Sequence, residues 1–77
     1  MEKSTFFSLL KESLEFEDID FQENTNLKNI DGFDSMAIMT LIAFADEHFN
    51  KKLSAKKLAS VTTIRSLMEI IGLENFS

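Results

Sequence analysis

The sequence predicts an all-α fold: a small four-helix bundle with three longer helices, a short one in third place and a long loop between helices one and two. Three observations point there. The 77 residues contain no proline and only two glycines, Gly32 and Gly72, so the punctuation of a strand-and-turn protein is missing. Apolar residues recur at steps of three and four, the spacing of helices that bury one side. With 44% hydrophobic and 27% charged residues, there is apolar material for one compact core. Residues 1–77 therefore read as a single domain. A chain this short buries only about 60% of the surface its unfolded form exposes, which argues against a deep enclosed active site.

The first helix is expected over residues 5–16. Phe6, Leu9, Leu10 and Leu14 share one face there, Lys11, Glu12 and Glu15 the other, and Ser4 is the expected N-cap, with Lys3 or Ser8 as alternatives that shift the boundary by a turn. Residues 17–34 form a long connection, of the kind that is usually functional or disordered. Its spaced Ile19, Phe21, Leu27 and Ile30 predict an ordered loop pinned to the core, with room for a short helical turn. The strongest helix is Ser35–Phe49, announced by Gly32 and by Asp34 or Ser35 as N-cap. Ile38, Leu41, Ile42, Ala45 and Phe49 form its expected core stripe, and Asn50, Lys51 and Lys52 suit its C-terminus. Ser54 caps a short helix Ala55–Ala59. Thr62 or Thr63 caps a last helix Ile64–Ile71, with Gly72 just past its end. Repeats and low-complexity tracts are absent.

Composition removes several function classes. Without cysteine there is no disulfide, thiolate zinc site or cysteine nucleophile, and the lone His48 cannot build an ordinary metal site. A net charge of −5 repels nucleic acid and anionic lipid and favours basic protein surfaces. The N-terminus lacks the pattern of a signal peptide. The longest apolar run, residues 36–45, is too short for a membrane span. A cytoplasmic location and no stable membrane insertion are expected.

Chemistry concentrates in Gly32-Phe33-Asp34-Ser35-Met36. A serine at the first position of a helix exposes its hydroxyl, and the unpaired N–H groups and partial positive charge of that helix end favour a phosphate. Gly32 permits a sharp turn or the close approach of a partner's backbone. Asp34 and Ser35 also read as ordinary capping residues. A serine hydrolase is excluded: His48 lies on the same helix, about 20 Å from Ser35 at a rise of about 1.5 Å per residue.

The chain resembles the acyl carrier protein family over essentially its whole length. In that family a glycine-any-aspartate-serine-leucine motif opens the second helix; Gly32, Asp34 and Ser35 match it, with Met36 for the leucine. Asp46-Glu47-His48-Phe49, then Leu53, a short third helix and the threonine-led Thr62-Thr63-Ile64-Arg65-Ser66-Leu67 continue the likeness. The resemblance implies a non-catalytic carrier. A separate phosphopantetheinyl transferase, using coenzyme A and magnesium, would place a 4′-phosphopantetheine arm on Ser35, whose hydroxyl attacks the pyrophosphate while Asp34 assists. Cargo then travels as thioesters in fatty-acid-like or specialised biosynthesis, the cofactor supplying the sulfur that this chain lacks. Implied partners are loading and processing enzymes of the acyl or aminoacyl ligase, ketosynthase or acyltransferase type, and the implied state is a monomer.

Partner recognition departs from the family, whose second helix commonly displays several acids. Here the face opposite the core stripe carries Met36, Ala37, Met39, Thr40 and Ala43, with acid held back to Asp46 and Glu47. Met36, Met39, Ala43, Asp46 and Glu47 are the candidate partner contacts, methionine being adaptable to varied surfaces. Met36 and Met39 have a second reading, as packing against the long loop. Phe33 and Ala37 look more like carriers of specialised pathways. Phe44 is expected in the core and His48 on the surface. Lys51, Lys52, Lys56 and Lys57 form a solvated patch able to orient a partner. Two rivals remain. One is an aminoacyl or hydroxyacyl carrier of a secondary-metabolite or surface-polymer pathway. The other is a helical interaction module without a prosthetic group, docking through the same methionine face.

Overall fold

The computed structural model of the chain describes residues 1–16 and 18–76. Position 17, where the long loop was expected to begin, lies outside them. Four α-helices follow in order: α1 (Lys3–Leu14), α2 (Ser35–Phe49), α3 (Ala55–Ala59) and α4 (Ile64–Ile71). Single 3₁₀ turns lie at Leu27–Asn29 and Leu73–Asn75. The described residues form no strand, only one isolated bridge between Asn26 and Thr63. The small helical bundle expected from the sequence is the fold, and the turn at Leu27–Asn29 is the one anticipated inside the loop.

Helix α1 begins and ends two residues before its expected bounds. Glu2, not Ser4, occupies the cap position and makes no side-chain cap bond; its carbonyl accepts the Phe6 N–H at 2.9 Å. At the other end Glu15 turns left-handed (φ 61°), with Glu15 N–H bonded to Glu12 O and Phe16 N–H to Lys11 O. This pair of bonds closes the helix in the manner usually reserved for glycine.

Helix α2 occupies its expected span, and Asn50 closes it in a left-handed conformation (φ 53°). Its inward face is rotated from the expected stripe. Ala37, Leu41, Phe44 and Ala45 are buried, whereas Ile38, Ile42 and Phe49 are only partly covered. Ala37, expected on the outer face, is 7% exposed. The cause is α1, which packs along the Ala37–Phe44 side. Leu14, Phe16 and Ala37 border one groove at one end, and Phe6 meets Phe44 edge-on at 5.7 Å further along. Phe6, Phe49 and Phe76 extend this aromatic cluster, with centroids 4.8 to 6.1 Å apart. Phe44 is thus core, as expected.

Helix α3 is capped by Ser54, whose side chain accepts the Lys57 N–H. At α4 the cap is Thr63. Its hydroxyl accepts the Ser66 N–H, and Ser66 Oγ accepts the Thr63 N–H in return, a reciprocal arrangement that satisfies two orphan donors. Gly72 ends α4 at φ 113°, where a β-carbon would collide with the Glu74 carboxylate. Ile64, Leu67, Met68 and Ile71 complete the core, joined by Phe21, Leu27, Leu53, Leu58 and Val61.

Candidate functional site

The long loop delivers the chain to the start of α2 from a firm base. Its first half runs alongside the beginning of α4: Arg65 N–H donates to Glu23 O at 2.8 Å, Ile64 N–H to Thr25 O at 3.0 Å, and Leu27 N–H to Thr62 O at 2.7 Å. The Glu23 carboxylate bridges Arg65 Nη1 at 2.9 Å and Lys3 Nζ at 3.2 Å, joining loop, α4 and α1. Phe21 and Leu27 are buried, Ile19 and Ile30 partly so, as their spacing in the sequence suggested.

From Leu27 the chain steps through tight turns, Ile30 N–H to Leu27 O and Phe33 N–H to Ile30 O. It reaches Gly32 at φ 88°, a conformation that side chains rarely adopt. A β-carbon at Gly32 would meet Phe16 at an ordinary 3.6 Å, so backbone conformation rather than space demands the glycine. Asp34 then caps α2. Its Oδ1 accepts the N–H of Met36 at 3.1 Å and of Ala37 at 3.2 Å, while its carbonyl accepts the Ile38 N–H. Ser35 follows as the first helical residue, exposed, its hydroxyl without a hydrogen bond among the described residues.

One electrostatic expectation changes here. The N–H groups of Met36 and Ala37 are not open to a phosphate, because the Asp34 carboxylate already occupies them. What the site offers is a free hydroxyl beside a carboxylate whose Oδ2 has no partner among the described residues. Two open grooves flank it. One is lined on the α1 side by residues including Leu14, Phe16, Gly32, Met36 and Thr40. The other is lined by Lys28, Phe33, Asp34, Ser35 and Ile38. Lys28 is the feature that reading the sequence missed: its ammonium bonds the Ala59 carbonyl at the end of α3, so it borders Ser35 from a distant anchor.

With a free serine hydroxyl on a capped helix start, the match to a known family becomes interpretable. The family profile described as phosphopantetheine attachment site matches residues 4–71. The chain belongs to that family. It is a carrier domain, and the group that defines its relatives is a covalently attached 4′-phosphopantetheine. No curated protein and no solved structure matched the chain. The carrier's residues fit such a group: the Ser35 hydroxyl is exposed, unengaged and open on both sides.

The candidate partner residues all lie at the surface. Met36 and Met39 stand 74% and 67% exposed, and Ala43, Asp46 and Glu47 are exposed with them on α2. The alternative of loop packing for the two methionines is thereby answered. Thr40, which lies between Met39 and Ala43 on the same helix, donates its hydroxyl to the Met36 carbonyl at 3.0 Å. His48 is exposed with its ring 4.4 Å from Phe44, at the far end of α2 from Ser35. Among the described residues no cluster of three potential ligands could hold a metal, and no helix is long and apolar enough to cross a membrane.

Proposed function

We propose that Ser35 is the attachment point of the arm, and that the carrier presents acyl groups, as thioesters, to partner enzymes. The observation that supports this reading is the exposed, unengaged hydroxyl at the first residue of α2, inside a family match that spans it. When bound, the arm supplies the thiol that the chain itself lacks. Ser35 Oγ would be the acceptor: an O–P bond would form there as the pyrophosphate link of coenzyme A breaks, the adenosine bisphosphate half would leave, and the hydroxyl would give up its proton. Asp34 does two jobs. Through Oδ1 it fixes the helix start and so the direction of Ser35. Its free Oδ2 is a hard oxygen suited to the magnesium that arrives with coenzyme A. Gly32 sets the turn that keeps both residues at the surface.

Partners meet the carrier on the outward side of α2, at Met36, Met39, Ala43, Asp46 and Glu47. This face is mostly apolar, which favours a specialised set of enzymes over the central fatty-acid machinery. An aminoacyl or hydroxyacyl cargo is the second reading, and the same face supports it. We place the carrier in the cytoplasm as a monomer that performs no catalysis.

The decisive test is intact mass after incubation with coenzyme A, magnesium and a broad-specificity transferase. Wild type gains one phosphopantetheine and Ser35→Ala gains none. No gain in wild type with several transferases would leave the prosthetic-group-free interaction module standing.

A further inference from the structure

Charge along this chain is segregated. Between Asn50 and Met68 lie Lys51, Lys52, Lys56, Lys57 and Arg65 with no carboxylate, while the remaining residues hold three cations and all thirteen acids. Arg65 is engaged by Glu23. The four lysines are exposed, and among the described residues only Lys52 is near a carboxylate, Asp46 at 3.5 Å. Helix α3, which carries Lys56 and Lys57, packs beside α2. Lys28 extends the cationic strip to the groove that contains Ser35 and Ile38. The outward face of α2 has no charge between Ser35 and Asp46 and exposes Met36, Met39 and Ala43. The bond from Thr40 to the Met36 carbonyl takes up its hydroxyl proton and makes that face drier.

Resting on the reading of α2 as the docking face, we infer that the carrier's partner is an enzyme surface with an apolar socket edged by carboxylates. The methionines enter the socket and the α3 lysines face the acidic edge. A basic partner surface, which the net charge of −5 alone would select, suits Asp46 and Glu47 at the far end of α2 but meets the wrong sign along α3. The apolar contact supplies the holding contribution and is insensitive to salt. The lysine edge sets orientation and fades as the screening length shortens.

Two synthetic amphipathic helical peptides, each with one leucine face, one edged by glutamate and one by lysine, provide the probe. Amide chemical shifts of the labelled 77-residue chain are followed during titration. The glutamate-edged peptide is expected to perturb residues 36–43 and 51–57 and to bind about tenfold more tightly than its lysine-edged counterpart. Met39→Ala should weaken both peptides, and the double change Lys56→Glu with Lys57→Glu should reverse the preference. Lys51→Glu with Lys52→Glu serves if the α3 variant loses helicity. Equal or tighter binding of the lysine-edged peptide at α2, or no perturbation by either, overturns the inference. Loading of Ser35, measured separately by mass, keeps the readings apart. A chain that loads but prefers lysine edges loses only this inference, and one that never loads loses the attachment reading instead.

Discussion

Helices α2 and α4 both begin at a capped turn, Asp34 serving one and Thr63 the other, yet among the described residues hydrogen bonds stitch only α4 to a distant part of the chain there. Two loop carbonyls accept N–H groups of its first turn, and the Glu23 carboxylate holds its Arg65. The first turn of α2 rests on Asp34 and leaves Ser35 free. The faces differ in the same sense. Helix α4 turns Arg65 and Glu69 outward and buries Ile64, Leu67, Met68 and Ile71; α2 buries four residues and still shows two methionines to solvent. Met68 is fully buried and Met36 is 74% exposed. The apolar surplus on α2 therefore does not serve folding, and that frees it for contact with other proteins.

The largest expected effect tests this division directly. Leu67→Ala on α4 empties a fully packed site and should cost about 2–5 kcal/mol. A domain of this length has a total stability of about 4–12 kcal/mol, so the variant is expected to lose a large share of it. Met39→Ala on α2 should change stability by about 0.5 kcal/mol or less, because its side chain is largely in water. Urea denaturation measures both. Comparable losses would break the comparison and return Met39 to the core.

A second measurement sharpens it at the caps. Asp34→Ala and Thr63→Ala should each cost about 1 kcal/mol, since each deletes an acceptor for helix N–H groups. Asp34→Asn separates structure from chemistry, because asparagine caps about as well as aspartate without the charge. Near wild-type stability with slower loading of Ser35 is the expected outcome. Loading at the wild-type rate would reduce Asp34 to a cap.

Much of this was legible in the sequence where the cause is local. The limits of α2, α3 and α4, the cap Ser54 and the closing residues Asn50 and Gly72 all follow from residue type at a fixed offset. The caps of α2 and α4 were narrowed to Asp34 or Ser35 and to Thr62 or Thr63, of which the structure uses Asp34 and Thr63. The two-residue shift of α1 arose because Ser4 lay inside the helix rather than before it. Ala37 and Phe44 were harder to place, because α2 is apolar almost all round and periodicity alone cannot say which side its neighbours take. Lys28 beside Ser35 and Glu23 between Lys3 and Arg65 had no local signal. Each depends on partners 20 to 42 residues away in sequence.

That last cluster yields the smallest and most specific effect. The Arg65 guanidinium, and after it the Lys3 ammonium, hold the Glu23 carboxyl below its ordinary value of 4.5. A carboxyl whose pKa is lower folded than unfolded adds stability that is complete above the unfolded value and is lost as pH falls through the folded one. Glu23 is partly open to solvent, so its contribution is small and screened by salt. Glu23→Gln keeps the shape and removes the charge. Its stability deficit, read from denaturation curves, should be steady near neutral pH and shrink as pH drops below 4.5. The amides of Ile64 and Arg65 should exchange faster in the variant, while those of Met36 and Ala37 at α2 stay as they were. Equal acceleration at both helix starts would mean that the clasp at α4 also steadies the start of α2, and that the two ends are coupled through residues 27–34.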